Sequence, residues 1–368
     1  MHLAFRPARQ RLARGLLERH LLLWEGASQQ DIARMRDSNP EWDFMGRTFL
    51  GREFPPHQIS VLAGAGSVLE ILFHALADPG DGVLVPTPSY AGFWLDLELR
   101  DGLKIVPVHC SSADDFRLTP ELLDRTVSPA GRPVKALLFT TPDNPLGRVY
   151  SANEIDEILR WAESRGLHVV LDEIYALSVF GDRGFTSGAA VRPSLGDRIH
   201  IVWAFSKDFG ASGLRCGVLV SENPAVQAAM GVFAYWACCS GHTQYLLGEL
   251  ISDEPWVNGF IDTTRFELGG AYERLTSVLD GGGISHVPAG AGVFTLLDLR
   301  SFLSEPTWEA EHALWSRIVD QANVNLTPGA ACHVGDPGFM RLCYAGLPAE
   351  VVEIGVERLH RVLESRSR

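Results

Sequence analysis

The lysine at position 207 has the surroundings that most clearly suggest chemistry. It lies in the segment AFSKDFG, directly after an apolar run, and a Gly-x-Arg triplet ends eight positions later at Arg215. A lysine alone at that place would be a solvated loop residue. With Ser206 before it and Arg215 after it, whose guanidinium can hold phosphate through a fork of N–H donors, the arrangement is typical of a lysine that carries a phosphorylated cofactor.

Polar side chains near the ends of two other apolar runs are candidates for binding a cofactor ring. Asp172 closes the run LHVVLD, and a buried carboxylate there is unfavourable unless a cation such as a protonated pyridine nitrogen pairs with it. Tyr175 and Asn144, the latter in the turn DNPLG, are candidates for hydrogen bonds to a ring hydroxyl. Taken alone, Asp172 could equally cap a helix and Asn144 could be only a turn residue.

Four further residues are candidates for the phosphate, the ring and the substrate. Gly66 and Ser67 precede an expected helix over residues 68–77, whose N-terminal N–H groups would bind phosphate. Tyr90 is a candidate for stacking on the ring, although such a tyrosine more often packs in a core. Arg341 lies in an apolar, strand-like run, where its charge needs a partner, and a substrate carboxylate would pair with it bidentately.

Together these groups match the needs of pyridoxal 5′-phosphate (PLP), namely a Schiff-base lysine, an acid at the pyridine nitrogen, phosphate donors, a stacking ring and a group for the substrate carboxylate. We predict that Lys207, Asp172 and Tyr175 are catalytic. The predicted cofactor-binding residues are Gly66, Ser67, Tyr90, Asn144, Asp172, Tyr175, Ser206, Lys207 and Arg215. The predicted substrate-binding residues are Arg341 and Asn144. No metal is expected, because no Cys/His cluster supports the adjacent pair Cys332-His333.

Short apolar runs that alternate with amphipathic segments must position these residues. Strands are expected over residues 103–110, 134–142, 167–175 and 199–207, and a capping box of Ser151 and Glu154 opens a helix that runs to Arg165. Strands that are apolar on both faces and separated by helices indicate a mostly parallel α/β sheet with helices on both faces. Ligands bind such sheets at the carboxyl ends of the strands, where the polar clusters lie.

The character of the sequence changes after about residue 220. Helical patterns prevail to about residue 276, and short strands follow near residues 293–299, which indicates a smaller α+β domain. We expect a large PLP-binding α/β domain over residues 45–245 and a small domain formed by residues 1–44 and 246–368. The apolar stretch 225–239 is too short to span a membrane and is expected to be a buried helix.

Composition argues against several other functions. A net charge of −13 disfavours binding to nucleic acid or to an anionic membrane surface. No secretory signal is apparent, and six cysteines without C-x-x-C spacing fit reduced thiols in a cytoplasm. We therefore expect a cytoplasmic protein with a small-molecule amino-acid substrate and neither a nucleic-acid nor a membrane partner.

Several phrases spread over residues 63–344 resemble the class I/II aminotransferase family of fold-type I PLP enzymes, and within it most closely 1-aminocyclopropane-1-carboxylate synthase and its relatives. They include TPDNPLGRVYS, VVLDEIYALSVF, AFSKDFGASGLRCG and LTPGAACHVGDPGFMRLCYAG. The resemblance implies the PLP-dependent transferase fold and a homodimer with active sites at the subunit interface. It also implies the residue roles given above, with Lys207 as the proton shuttle.

The sequence departs from the family on the substrate side. Ala204 stands where the family often has a phosphate-binding serine, and Phe44 stands where it has a tyrosine that reaches the partner subunit's phosphate. The stretch that follows Phe44 is short. Residues 21–32, with Glu25, match the family's substrate-covering segment only weakly.

The expected reaction transforms an α-amino acid through an external aldimine, with transamination as the first hypothesis. Because the departures lie on the substrate side, the alternatives are β- or γ-elimination or replacement, and decarboxylation with oxidative deamination, in a specialised pathway. The alternative from another class is a non-catalytic PLP-binding regulatory domain. Such proteins carry an added DNA-binding region, for which this acidic chain has no room. The sequence does not specify the substrate side chain, whose pocket we expect to be lined by the N-terminal segment, the neighbourhood of Trp94 and residues of the partner subunit.

Overall fold

The computed structural model describes residues 44–365, which form two β-sheets surrounded by helices. Seven strands form the larger sheet: β1 Ile59–Leu62, β2 Gly82–Thr87, β3 Lys104–His109, β4 Val134–Thr140, β5 His168–Asp172, β6 Ile199–Ala204 and β7 Gly217–Ser221. Four strands form the smaller sheet: β8 Ser285–His286, β9 Phe294–Asp298, β10 Thr327–Pro328 and β11 Phe339–Cys343. The orders across the sheets are β1-β7-β6-β5-β4-β2-β3 and β10-β11-β9-β8.

Eleven α-helices lie in the described residues. Their bounds are α1 Ala65–Leu76, α2 Gly92–Glu98, α3 Pro120–Val127, α4 Ala152–Ser164, α5 Gly188–Val191, α6 Phe205–Asp208, α7 Pro224–Ala237, α8 Gly241–Ile251, α9 Glu254–Gly281, α10 Trp308–Ala322 and α11 Ala349–Glu364. The predicted capping box is confirmed at the start of α4, where the side chains of Ser151 and Glu154 each accept a hydrogen bond from the other residue's backbone N–H. Among the described residues, no helix combines the length and the apolarity needed to cross a lipid bilayer.

The larger sheet is mostly parallel, as predicted. Strand β2 pairs in parallel with β3 and β4, and β4, β5 and β6 follow in parallel, whereas β7 pairs antiparallel with both β6 and β1. The four predicted strands are confirmed, although each ends earlier than predicted, because the polar residues that follow leave the sheet. The two antiparallel pairings are not indicated by the sequence.

Both faces of the larger sheet are covered. Along β4, Leu137 and Phe139 point into one apolar cluster and Ala136 and Leu138 into another on the opposite face. This alternation follows from the two-residue period of a strand, and it explains why the run is apolar throughout. A third cluster lies between the smaller sheet and helices α9, α10 and α11. Because α9 contributes to the first cluster at Phe260 and to the third from Leu268 onwards, it connects the two cores. The division into domains at residue 245 stays a prediction.

The expectation that residues 225–239 form a buried helix is wrong. Helix α7 buries only Val226 and Met230, whereas Val232, Tyr235 and Trp236 are 71%, 77% and 84% exposed. Within residues 44–365, the helix packs one face against α1, β1 and β7, and its other face is exposed. An apolar run alone does not distinguish a helix buried within its own chain from a helix with an exposed apolar face that could bind another molecule.

Candidate active site

The register of the parallel strands brings the predicted ring-binding residues to one edge of the sheet. Thr140 at the end of β4 lies opposite Asp172, and Asp172 lies opposite Val202 near the end of β6. The residues that follow these positions therefore meet at the same edge. These segments contain Asn144, Tyr175 and Lys207.

Lys207 lies on the short helix α6 and is partly buried. Burial lowers the pKa of its amine below the ordinary value and the Arg341 guanidinium lowers it further, whereas the Asp172 carboxylate raises it. The chain contains only three lysines. Lys104 and Lys135 are nearly half exposed and lie 4.0 Å from the carboxylates of Glu98 and Asp81. Lys207 is therefore the one lysine at this edge of the sheet.

Asp172 is 5% exposed and lies next to Lys207 without a direct ion pair within the described part of the chain. Burial raises the pKa of its carboxyl to about 7, with a further contribution from Asp96, while the Ile174 N–H and the Lys207 charge oppose this rise. The Ile174 N–H donates to Oδ1 at 3.3 Å. A buried carboxylate held by one hydrogen bond is favourable only when a cation or a proton joins it.

Tyr175 and Asn144 present unused hydrogen-bonding atoms to the same space. Tyr175 is 2% exposed, and its Oη has no hydrogen-bond partner among residues 44–365. Asn144 Oδ1 accepts a hydrogen bond from Arg341 Nη1 at 3.0 Å, which leaves the Asn144 amide N–H groups as donors. Buried polar groups are nearly always satisfied, so an unpaired phenol here indicates that a ligand supplies the partner.

Arg341 lies on β11 and faces this site from the smaller sheet. Its Nη2 donates to Thr327 Oγ1 at 3.1 Å, and its guanidinium lies 4.3 Å from the centroid of the Phe294 ring. No carboxylate pairs with it in the described chain. An arginine whose hydrogen-bond partners are all neutral keeps its charge unpaired and is suited to bind the carboxylate of a ligand.

The predicted phosphate-binding residues meet at the N-terminus of α1. Gly64, with φ of 92°, turns the chain into the helix, and Arg215 lies directly against it. Arg215 Nη2 donates to the Ala63 carbonyl at 3.1 Å, and Ser67 Oγ donates to the same oxygen at 3.3 Å. Ala204 at the end of β6 pairs with Gly217, which packs against the Gly64 backbone, and buried Ser206 follows two residues after Ala204. The N–H groups of the first helical turn, that of Gly66 included, and the guanidinium are suited to bind an anion, and their role as a phosphate site stays a prediction.

The packing at Gly64 makes this corner testable. A Cβ atom at Gly64 would lie 2.3 Å from Arg215 Nη2, and the positive φ adds strain, so Gly64→Ala must displace the guanidinium. We expect the dissociation constant of PLP to rise at least about tenfold, while that of pyridoxal, which has no phosphate, stays unchanged. The control is Gly213→Ala in the neighbouring loop, where an added Cβ meets nothing within 4 Å. Equal weakening of PLP and pyridoxal would contradict the assignment.

Two side chains that bear on the family comparison are buried. Phe44 is fully buried among the rings of Trp203, Phe205 and Phe209, at centroid distances of 5.7, 6.4 and 5.8 Å. It therefore fills the core beneath α6 and presents no group to a partner subunit. Ala204 is also fully buried and offers the site no hydroxyl group.

Tyr90 is not a core residue. Its side chain is 45% exposed at the start of α2, and its ring meets the edge of Phe93 at 5.4 Å. The interpretation of Tyr90 as core packing is therefore wrong, and its ring has an open face for a ligand. Nearby, Trp94 stacks on His333 with ring centroids 3.5 Å apart, and the Ser89 N–H donates to the Cys332 carbonyl at 2.9 Å. These contacts join α2 to the loop before β11.

The sequence did not indicate Asp96. Its Oδ1 lies 3.7 Å from the position of a Cβ on Gly66, so a carboxyl group lies beside the proposed phosphate corner. Burial raises the pKa of Asp96 to about 6, with a contribution from Glu70. Nothing in the spacing along α2 marks this residue, because only the packing of α2 against α1 brings it there.

The residues of the site fit PLP by their chemistry. The unpaired Tyr175 hydroxyl, the buried Asp172 carboxyl and the cationic corner at Arg215 are suited to bind the ring oxygen, the protonated ring nitrogen and the phosphate of the cofactor. Lys207 is the lysine that could form a Schiff base with the aldehyde of the cofactor. The arrangement defines a PLP-binding enzyme.

Comparisons with known proteins agree. The family model for aminotransferase class I and II matches residues 42–359. 1-Aminocyclopropane-1-carboxylate synthase 8 of Arabidopsis thaliana is 36% identical over 88% of this chain and 72% of its own length. 1-Aminocyclopropane-1-carboxylate synthase 2 of Oryza sativa subsp. japonica is 38% identical over 91% of this chain and 73% of its own length. The chain belongs to the class I and II aminotransferase family and is a PLP-dependent enzyme that acts on an amino acid.

Solved structures show the same fold. An aspartate aminotransferase from Thermus thermophilus, solved with maleate, superposes with a TM-score of 0.82 at 23% identity over 96% of this chain and 88% of its own. An aromatic aminotransferase from Pyrococcus horikoshii gives a TM-score of 0.81 at 25% identity over 91% and 86% of the two chains. The predicted type I PLP fold is thereby confirmed.

Proposed function

We propose that the enzyme removes the Cα proton of an α-amino acid whose carboxylate is held by Arg341, and that transamination is the outcome. The observation that carries this proposal is the convergence of Lys207, Asp172 and Arg341 on one buried space. A base, a carboxylate for the ring nitrogen and an unpaired arginine are the groups that such a reaction needs.

Each residue has a distinct part in the proposed reaction. Bound PLP supplies an electron sink for the negative charge that develops at Cα. Asp172 holds a proton at the ring nitrogen by charge pairing, and Tyr175 and Asn144 orient the ring through its hydroxyl oxygen. Because burial lowers the pKa of Lys207, more of the amine is neutral near pH 7 than for an exposed lysine, so Lys207 Nζ can take up and return the proton.

The carboxylate role of Arg341 predicts the effect of a charge-conserving change. Arg341→Lys keeps the charge but loses the paired donors and the contact with Asn144 Oδ1. We expect KM for the amino acid to rise about 10–100-fold, as two charge-assisted hydrogen bonds are lost, while the affinity for PLP stays the same. Steady-state kinetics and absorption titration measure the two effects. Thr327→Val, which removes only the Thr327 hydroxyl that accepts from Nη2, should have a smaller effect of the same sign.

A second candidate function is γ-elimination with ring closure. It is favoured by the relatives named 1-aminocyclopropane-1-carboxylate synthase at 35–38% identity over most of the chain. Product analysis separates the two reactions. A keto acid formed together with pyridoxamine phosphate, one for one, supports transamination. Continued turnover without any amino acceptor would overturn transamination and support elimination.

We further propose a homodimer in the cytoplasm. The exposed apolar side chains of α7, together with Leu95 on α2 and Leu99 just after it at 67% and 75% exposure, offer the aromatic and aliphatic surface typical of a subunit interface. The six cysteines, all free, fit a reducing compartment. Light scattering should give twice the 40.4 kDa mass of the chain, and a monomer at micromolar concentration would contradict the dimer.

A further inference from the structure

Cys343 lies on the same strand as the proposed carboxylate-binding arginine. Met340 and Leu342 of β11 are buried in the core behind the smaller sheet. Since side chains alternate along a strand, Cys343 lies on the same face of β11 as Arg341, and it borders the edge of the core that contains Tyr175. Their nearest neighbours on β9 are Leu296 and Phe294.

The thiol is close to the proposed catalytic groups. The Cys343 sulfur and the Arg341 guanidinium both act electrostatically on Lys207 and on Tyr175, and in opposite directions. Four side chains from α6, the segment after β5 and β11 therefore share one space. None of the roles proposed above uses the thiol.

Two observations indicate that a ligand occupies the space beside this thiol. Tyr175, on whose phenol the Cys343 sulfur acts electrostatically, is shielded from solvent, and its Oη has no hydrogen-bond partner within the described chain. Arg341 has no carboxylate partner there either. A buried phenol without a hydrogen-bond partner and a guanidinium bonded only to the neutral acceptors Asn144 Oδ1 and Thr327 Oγ1 favour a polar ligand beside them.

Cys343 also differs from the other cysteines in exposure. Cys110, Cys216, Cys239 and Cys332 are buried, Cys238 is exposed and pairs with Leu62 just after α7, and Cys343 is partly exposed. Cys343 is thus the one cysteine that a small reagent can reach through the proposed substrate space.

We propose that Cys343 forms part of the wall of the amino-acid pocket beside the α-carboxylate position, and that its alkylation blocks the substrate but not PLP. This inference rests on the proposed function of the site. With iodoacetamide, the sulfur attacks the iodine-bearing carbon, so that an S–C bond forms and the C–I bond breaks. Iodide leaves and the thiol proton passes to solvent. The added carbamidomethyl group then occupies the volume that the substrate carboxylate needs.

The test is differential labelling of the full-length, PLP-loaded protein. Iodoacetamide incorporation at each cysteine is followed by peptide mass spectrometry, with and without aminooxyacetate, which carries an aldehyde-reactive group and a carboxylate. At about ten times its dissociation constant, aminooxyacetate should slow labelling of Cys343 about tenfold, because only the unliganded fraction reacts. Labelling of Cys238 should not change. Hydroxylamine, which reacts with the aldehyde but has no carboxylate, should protect Cys343 less.

Two results would overturn the inference while leaving the proposed function intact. In both, PLP binds and aminooxyacetate changes its absorption spectrum. In the first, Cys343 is labelled equally fast with and without aminooxyacetate. In the second, Cys343 is not labelled while Cys238 is. Failure of PLP itself to bind would instead refute the proposed function.

A variant pair makes the consequence specific. After iodoacetamide treatment, the wild-type protein should keep its PLP absorption but bind aminooxyacetate at least about tenfold more weakly, since a filled site excludes the ligand. Cys343→Ser, which keeps the shape without the nucleophile, should show no such change on treatment, whereas Cys238→Ser should behave as wild type. If treated Cys343→Ser weakens as much as wild type, another residue is responsible and the proposal is wrong.

Discussion

Lys207→Ala is expected to abolish the visible absorption band of lysine-bound PLP and to reduce turnover by about 10²–10⁴-fold or more, because the variant loses both the covalent attachment and the proton carrier. The chain has no second lysine at the site. Lys104 and Lys135 lie at the amino ends of β3 and β4, whereas the site lies at the carboxyl ends, and they form ion pairs with Glu98 and Asp81. The measurement is a PLP titration followed by absorption, combined with steady-state kinetics.

Lys135→Ala is the matched control for this prediction. Lys135 is 45% exposed and 4.0 Å from Asp81, so its removal costs little and should leave PLP absorption unchanged. Reduction of the PLP-loaded protein with borohydride should attach the cofactor mass to the peptide that contains Lys207. Recovery of that mass on the Lys104 or Lys135 peptide would refute the assignment.

Asp172→Asn is expected to have opposite effects on the PLP-bound and the cofactor-free protein. With PLP, the variant loses the negative charge at the ring nitrogen, and turnover should fall about 10²–10³-fold, as for other preorganised electrostatic contacts. Without PLP, the carboxyl is buried with no cation in contact, and its pKa is raised from 3.8 to about 7. Removing that charge should therefore stabilise the cofactor-free protein above pH 7.

The pH dependence follows from the direction of the pKa shift. Because the folded state of the cofactor-free protein binds the Asp172 proton more tightly than the unfolded state, Asp172 destabilises the folded state progressively as pH rises from about 4 to about 7. Above pH 7 the cost is complete, and Asp172→Asn should gain about 1–3 kcal/mol of unfolding free energy there, with little gain near pH 4. Denaturant unfolding at the two pH values, with and without PLP, measures this difference.

Asp208→Asn is the control, because Asp208 is also a buried carboxyl but is fully hydrogen-bonded within the protein. Burial also raises the pKa of Asp208 to about 7, but its carboxylate accepts hydrogen bonds from Ser178, Trp203 and the Leu177 N–H. Its replacement should destabilise the protein both with and without PLP, because an amide cannot accept all three bonds. If Asp172→Asn is also destabilising without PLP at pH 8, Asp172 is a structural carboxyl and not a group that awaits a cation.

The sequence by itself determined the local parts of this protein. The strands β4, β5 and β6, the capping box at Ser151 and the polar residues after the strands depend on patterns a few residues long, and parallel pairing then places their carboxyl ends together. The family resemblance rests on the same segments. The lysine at the site was predicted from its position after an apolar run and from Arg215 eight positions later.

Only the tertiary structure decided which groups are buried without partners and which surfaces are open. The raised pKa values of Asp172 and Asp96, the unpaired Tyr175 hydroxyl and the position of Cys343 depend on residues distant in sequence that pack around them. The exposed face of α7 and the half-exposed Tyr90 ring contradict expectations from apolarity alone. The physical reason is that hydrophobicity is a property of each residue, whereas burial, desolvation and missing hydrogen-bond partners are properties of the packed chain.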